Sequence, residues 1–388
     1  MLEPLVITGA GIVSPFGVGL SSWREALRQP QSSTAAVLEQ TKHGKAALLH
    51  DFDPREYLGP RGLRNLDRLT TFLIIAAQEA QSEAQLPGDI DPERIGLCLA
   101  TAYGSLDSIT ELNRIAELED PRYVSPSRFP NTVINSAAGY VSIWEDLRGP
   151  NTTLVNGNCG AIDALVLARN HMRHRRSDIF LVGGGEVVSE SMQLAVEKLG
   201  LLSGSSAARF FLGEGAVLVC VESLEHAQKR GVAPLASLRG LASTFEAPAQ
   251  AHSLVNVSPD AVSRAARACL TQAGLDPQAI DLVCMSGNGI ERIDQPEAEG
   301  LAQVFGEGRE CHPLMLRPKR LHGETFGASG ALSMACVLEW FAGLPINDLG
   351  QQDALQALPS RPRFALISSV GFYGNVSMTL LENLQPHA

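Results

Sequence analysis

The stretch Thr152-Thr153-Leu154-Val155-Asn156-Gly157-Asn158-Cys159-Gly160-Ala161-Ile162-Asp163-Ala164-Leu165 places a β-forming run, a glycine turn and a helix-forming run end to end. A strand that passes through a tight turn into a helix holds the turn residue at the helix N-terminus, where partial positive charge stabilises an anion and lowers a thiol's pKa. That is the geometry of a nucleophile elbow. Its tip residue is Asn158, whose amide cannot form a thioester, and Cys159 becomes an alternative nucleophile only if the turn is one residue shorter. Two further stretches gather polar side chains: Ser286-Gly287-Asn288-Gly289-Ile290-Glu291-Arg292-Ile293-Asp294-Gln295-Pro296-Glu297 and Lys319-Arg320-Leu321-His322-Gly323-Glu324-Thr325-Phe326-Gly327-Ala328-Ser329-Gly330. Lys319, with Asp294 or Glu297 as partner, is expected to form a buried structural ion pair. His322 is expected to be a polar residue satisfied in a loop.

The elements that must position these residues follow from hydrophobic runs and their punctuation. Strands are expected at Leu5–Thr8, Ile95–Ala100, Ile179–Val182, Ala216–Val221, Asp281–Met285 and Phe364–Ser368, several ending in glycine, including a turn at Gly183–Gly185. Their hydrophobicity is continuous rather than alternating, which indicates sheet covered on both faces. Ser258-Pro259 supplies an N-cap and an N1 proline for a helix over Asp260–Ala273, which Gly274 stops. Asp294 is positioned to cap Gln295–Phe305. Leu66–Gln85 reads as a long helix with Leu66, Leu69, Leu73 and Ala77 on one face. The fold class is therefore α/β with a buried sheet.

The 388 residues, 45% of them apolar, can bury a large core in one two-layered unit or two domains. A looser segment at 224–257 is the expected boundary between halves 1–223 and 224–388, between which no sequence repeat is visible. No apolar run is long enough to span a bilayer and the N-terminus lacks a signal peptide's basic region, so a cytoplasmic protein is expected. Seven scattered cysteines without a CxxC pair suggest neither disulfides nor a metal site. A net charge of -11 argues against nucleic acid as a partner. One dense basic cluster, Arg169, Arg173, Arg175 and Arg176, falls where a helix C-terminus favours cations, and it also offers a surface for an acidic partner.

With the three frames in view, the chain resembles the β-ketoacyl synthases of the thiolase-like fold nearly end to end. The resemblance extends through Val6-Ile7-Thr8-Gly9-Ala10-Gly11-Ile12-Val13-Ser14-Pro15, Leu212-Gly213-Glu214-Gly215-Ala216 and Gly371-Phe372-Tyr373-Gly374-Asn375. It implies a layered αβαβα architecture of two similar halves, and it makes Glu214 a structural hydrogen-bonding carboxylate. It also places Asn158 at the nucleophilic cysteine, Ser286 at the first histidine and Glu324 at the second. Counting back from Asp178 puts Asn158 on the cysteine without a gap. In an active condensing enzyme the thiolate carries the acyl chain and two imidazoles assist decarboxylation and stabilise the enolate. Asn158 forms no thioester, Ser286 offers one weak donor, and an ionised Glu324 would repel a malonyl carboxylate.

The run Gly160-Ala161-Ile162-Asp163-Ala164-Leu165 is similar to that of chain length factors, the inactive ketosynthase-like subunits of type II polyketide synthases. Those commonly carry glutamine where this chain has asparagine. The resemblance implies a non-catalytic subunit without a cofactor, paired with an active ketosynthase through the strand at Asn151–Asn156 and served by acyl carrier protein. The chain's length would suit a reducing system such as one making aryl polyenes. It further implies an acyl tunnel or interface lined by Tyr103, Leu106 and Ile109, with Arg128 and Phe129 crossing toward the partner. The alternatives are an acyl-transferring enzyme that uses Cys159, and a homodimer that binds an acyl ligand without turnover.

Overall fold

A computed structural model describes residues 4–201, 210–248, 255–306, 313–347, 349 and 361–385. The main sheet strands are β1 Leu5–Ser14, β2 Ile95–Ala100, β3 Asn151–Leu154, β4 Ile179–Glu186, β5 Gly215–Ser223, β6 Ala236–Phe245, β7 Leu282–Cys284, β8 Leu314–Leu316, β9 Phe364–Val370 and β10 Asn375–Asn383. They hydrogen-bond in the order β8-β7-β9-β10-β6-β1-β5-β4-β2-β3. Outward from the antiparallel β1–β6 contact, each half follows one plan, two antiparallel pairings and then two parallel ones. The duplication that no sequence repeat discloses is plain in this topology.

The repeat extends to detail. β1 bulges between Ile7 and Gly9 and β6 between Leu238 and Gly240, in each case just before a glycine. A Cβ on Gly9 would lie 2.4 Å from the Ala84 nitrogen, and one on Gly240 would lie 2.6 Å from the Cys269 oxygen, so each glycine lets an outer helix rest on its strand.

The helices that matter are α1 Arg68–Glu83, α2 Leu106–Leu118, α3 Gly160–Arg173, α4 Pro259–Ala273, α5 Glu291–Phe305 and α6 Ser329–Phe341. α1 packs on the outer face of the first half and α4 on that of the second, while α3 and α6 lie between the two halves. Every residue of α6 is buried, as a helix covered on all sides requires. The result is the αβαβα layering, with the β-rich faces of both halves closing on a central helical layer. Among the described residues no helix is long and apolar enough to cross a membrane.

Several elements differ from expectation for identifiable reasons. Gly183–Gly185 do not end β4; they are its interior. A Cβ at Gly183 would sit 1.9 Å from the Val217 oxygen and one at Gly184 2.2 Å from the Gly327 oxygen, so these glycines serve close approach rather than a turn. α1 starts at Arg68, capped by the Asp67 carboxylate accepting from the Thr70 N–H at 2.8 Å, and it is buried continuously from Leu69 to Ala77 rather than along one stripe. Ser258 caps α4 as expected, accepting from the Ala261 N–H, and Gly274 ends it with φ 67°. Asp294 is not a cap: α5 begins at Glu291 with Ile290 before it. The segment at 224–257 includes a helix at Leu224–Arg230 and the central strand β6, so its described part is not loose.

Gly183→Ala is expected to cost at least about 3 kcal/mol, because the clash is with backbone that cannot rotate away. Urea denaturation of the purified variant checks this, and an unchanged midpoint would contradict the close-approach role.

Candidate functional site

The site lies where three loops meet the N-terminus of α3. The turn Gly157–Cys159, with Gly157 at φ 52°, brings Asn158 to the head of α3 and buries it. The loop after β7 carries Ser286 and Asn288, and a short helix, Lys319–His322, leads through Gly323 to Glu324. This last loop docks because Gly213 has no side chain: a Cβ there would lie 1.8 Å from the His322 oxygen. Backbone bonds from Glu324 N to Phe211 O and from Gly213 N to Glu324 O, each 2.9 Å, then hold it.

Glu324 is the hub. Lys319 Nζ donates to both of its oxygens, at 3.0 and 2.8 Å, and Asn288 Nδ2 donates to Oε2 at 2.6 Å. Phe326 N–H and Ser329 Oγ donate to Oε1 at 3.0 Å each, and Asn158 Nδ2 makes a long contact of 3.5 Å to Oε2. Burial favours the neutral acid, but the ammonium and these donors prevail and hold Glu324 below the usual carboxylate range. Asn158 Nδ2 also donates to the Val370 carbonyl at 3.1 Å. Both neighbours of the amide are acceptors, so its NH2 must face them, leaving a buried Oδ1 with no partner among the described residues. All three substituted positions therefore belong to one polar network: Asn158 and Glu324 touch directly, and Ser286 Oγ accepts from Lys319 at 3.5 Å.

This geometry corrects the expected pairing of Lys319. Its partner is Glu324, not Asp294 or Glu297. Asp294 instead accepts the Asn288 and Gly289 N–H groups at 2.9 and 3.1 Å, folding the loop after β7. Glu297 accepts from Ser286 N and Ser368 Oγ, each at 2.7 Å, and burial raises its pKa to about 7. The anticipated repulsion by Glu324 is also altered, because its charge is compensated by the ammonium of Lys319. His322 is not satisfied in a loop. It is buried at the end of the short helix with neither ring nitrogen bonded among the described residues, and burial pushes its pKa down to about 3.

Cys159 points elsewhere. Its thiol is fully buried and directed at the backbone of β9 and β10, 3.2 Å from the Ser369 oxygen and 3.5 Å from that of Asn375. Burial, aided by Asp163, pushes its pKa up to about 12, so at neutral pH the thiol stays protonated. The helix N-terminus that would activate a thiol is present, but burial outweighs it.

Glu214 is the structural carboxylate expected, paired with Arg68 at 2.6 Å and accepting from Leu49 N at 2.9 Å. Tyr103 meets Phe326 edge-on at 5.2 Å, and Phe326 meets Phe372 at 6.1 Å, so an aromatic row flanks the loop that carries Glu324. Phe326 adopts φ 39°, an uncommon conformation held by its N–H bond to Glu324. Leu106 and Ile109 are half-buried on α2, whereas Arg128 and Phe129 are exposed, Phe129 to 61%. The basic cluster does not join the site: Arg169 and Arg173 are in the last turns of α3 and Arg175 and Arg176 follow it, at the opposite end of a 14-residue helix about 20 Å long.

Two contributors had no role assigned from sequence. Asn288 makes the shortest bond to Glu324, and only the polar character of its loop hinted at it. Glu186, directly after Gly183–Gly185, accepts from Thr101 Oγ1 and from the N–H groups of Ala102, Tyr103 and Gly327, and burial raises it to about 7. It thereby fixes the loop of Tyr103 against the loop of Glu324.

Comparison with known proteins agrees with this geometry. Residues 2–227 match the model of the β-ketoacyl synthase N-terminal domain and residues 235–341 that of the C-terminal domain. The chain belongs to the β-ketoacyl synthase family. It is 29% identical over 350 residues to 3-oxoacyl-[acyl-carrier-protein] synthase 2 of Coxiella burnetii, covering 84% of this chain and 83% of that protein. It is likewise 29% identical over 354 residues to nodulation protein E of Rhizobium sp. strain N33, covering 86% and 85%. Among solved structures, the ishigamide ketosynthase/chain length factor superimposes with a TM-score of 0.84 at 22% identity, over 99% of this chain and 100% of that one.

Lys319→Met should cost about 3–5 kcal/mol by leaving a buried carboxylate unpaired, and Lys319→Met with Glu324→Gln should recover most of it; equal losses in both would show that the pair is not the reason. Glu186 and Glu297 have folded pKa values near 7, above the unfolded value of 4.5. Their contribution is fully present below pH 4.5 and is lost as pH rises through 7, so stability should decline between pH 5 and 8. Glu297→Gln should flatten part of that slope in urea titrations, and an unchanged slope would exclude Glu297 as a source.

Proposed function

We propose that this chain is a non-catalytic ketosynthase-like subunit that pairs with an active β-ketoacyl synthase and helps wall the tunnel receiving the growing acyl chain. The observation that carries this is the closed polar network at the catalytic position. Asn158 cannot accept an acyl group, and the oxygens of Glu324 are engaged by Lys319, Asn288, Phe326 and Ser329. In an active synthase this space holds a thiol and two imidazoles that must face the substrate; here the groups face one another. The neutral, buried thiol of Cys159 weighs against a displaced nucleophile.

Support for pairing comes from the edge of the sheet. Among the described residues β3 pairs with β2 alone, and around it Val155 and Ile143 are exposed to 54% and 79%. Leu118, Tyr123, Phe129 and Val133 add further exposed apolar surface. An open strand edge bordered by apolar side chains invites a partner strand. A partner built on the same fold would supply a matching edge. Sequence relatives include 3-oxoacyl-[acyl-carrier-protein] synthase 2 and nodulation protein E, whereas the structural neighbours include a ketosynthase/chain length factor and a type II polyketide ketosynthase in complex with its acyl-carrier protein. A polyketide or polyene product and carrier-protein delivery through the complex follow from this assignment, with Tyr103, Leu106 and Ile109 on the tunnel and Arg128 and Phe129 toward the partner.

Co-expression with a cysteine-bearing ketosynthase should give a one-to-one complex, and incubation with an acyl thioester should acylate only the partner by intact mass. Recovery solely as a homodimer beside that partner, or an acyl adduct on Cys159, would overturn the assignment. In the complex, Asn158→Ala should leave turnover within about twofold, and Tyr103→Ala should lengthen the product by a few carbons. An unchanged product distribution would remove Tyr103 from the tunnel.

A further inference from the structure

The end of α3 remote from Asn158 opens into a cleft of about 390 Å³, a size suited to a small molecule. Its lining holds five cationic side chains and two carboxylates. The carboxylates are already engaged: Asp178 pairs with Arg94 at 2.6 Å and Glu225 with Lys229 at 2.5 Å. That leaves Arg169, Arg173 and Arg175 converging on one concavity with no carboxylate partner among the described residues.

Arg169 is the informative member. Its side chain is half-buried, and among the described residues its enclosed Nε has no partner and its guanidinium makes a long contact of 3.4 Å to Gln272. Burial and the neighbouring Arg173 both disfavour its charge. A guanidinium kept partly out of water beside a like charge is costly, and an anion entering the cleft would relieve both penalties. Placement at a helix C-terminus favours cations there, but it does not account for a recessed arginine with no carboxylate partner among the described residues on a chain of net charge -11. Arg175, at φ 54°, follows the end of α3 and lines the cleft. Leu5 and Met172 add apolar wall beside the cations.

We propose that this cleft binds a small phosphate ester carrying at least two negative charges and an organic part, as in a nucleoside diphosphate. Arg169 and Arg173 would grip the phosphates in forked, charge-assisted hydrogen bonds, with Arg175 closing the site and the organic part resting against Met172 and Leu5. The recess of Arg169 favours a small anion over an acidic protein surface, which would reach only the exposed rim. The site is separated from Asn158 by the length of α3 and does not depend on the pairing proposed above.

Calorimetric titration of the full chain with ADP, inorganic pyrophosphate and adenosine tests this. ADP and pyrophosphate should bind and adenosine should not, with affinity falling as salt is raised from about 50 to 500 mM. Arg173→Gln, at an exposed position, should weaken ADP binding about tenfold with the thermal midpoint of the free protein unchanged, and Arg169→Gln by at least as much. Equal binding of adenosine, no binding at millimolar ADP, or unchanged affinity in Arg173→Gln would each overturn the proposal.

Discussion

The buried ion pair between Lys319 and Glu324 is the constraint on which the site depends. Two unit charges withdrawn from water together would be a net loss without further donors. Asn288, Phe326 and Ser329 supply them, and Asn158 adds a weaker contact from the head of α3. The pair consequently ties together the loop after β7, the short helix before Glu324, the start of α6 and the elbow. In this chain the polar groups of those segments are engaged with one another.

That arrangement also explains why the three departures are best understood together. Glu324 alone would be an uncompensated buried charge; Lys319 makes it tenable. Asn158 in place of a cysteine turns its NH2 to Glu324 and the Val370 carbonyl, two acceptors with which a thiol makes weaker bonds. Ser286, smaller than an imidazole, is close enough to accept from Lys319. The elbow, the glycines and the strand order persist around them because they are fixed by packing, not by catalysis. Gly183, Gly184 and Gly213 each permit backbone contact that any Cβ would block.

Much of this was legible in advance. Continuous hydrophobic runs located β2 to the residue, and Ser258, Pro259 and Gly274 marked α4 correctly, because capping and burial are local. Glycine in strands misled for a physical reason: a local reading cannot tell a glycine that turns the chain from one that admits a neighbour. Gly9 and Gly183–Gly185 are of the second kind. The partner of Lys319 was misassigned on similar grounds, since Asp294, Glu297 and Glu324 are all carboxylates near it in the site, and only the loop conformations decide which one it reaches.

The sequence alone determined the family frames, the α/β class, and the presence of an amide, a hydroxyl and a carboxyl at Asn158, Ser286 and Glu324, since these are matters of residue type and spacing. Tertiary structure decided how those residues interact. It buried Cys159 against β9 and β10 and raised its pKa, joined Lys319 to Glu324, and set Arg169 in a recess with Arg173 and Arg175. Charge, proton affinity and accessibility are properties of neighbours distant along the chain, and those neighbours are assembled only when the two halves close on α3 and α6.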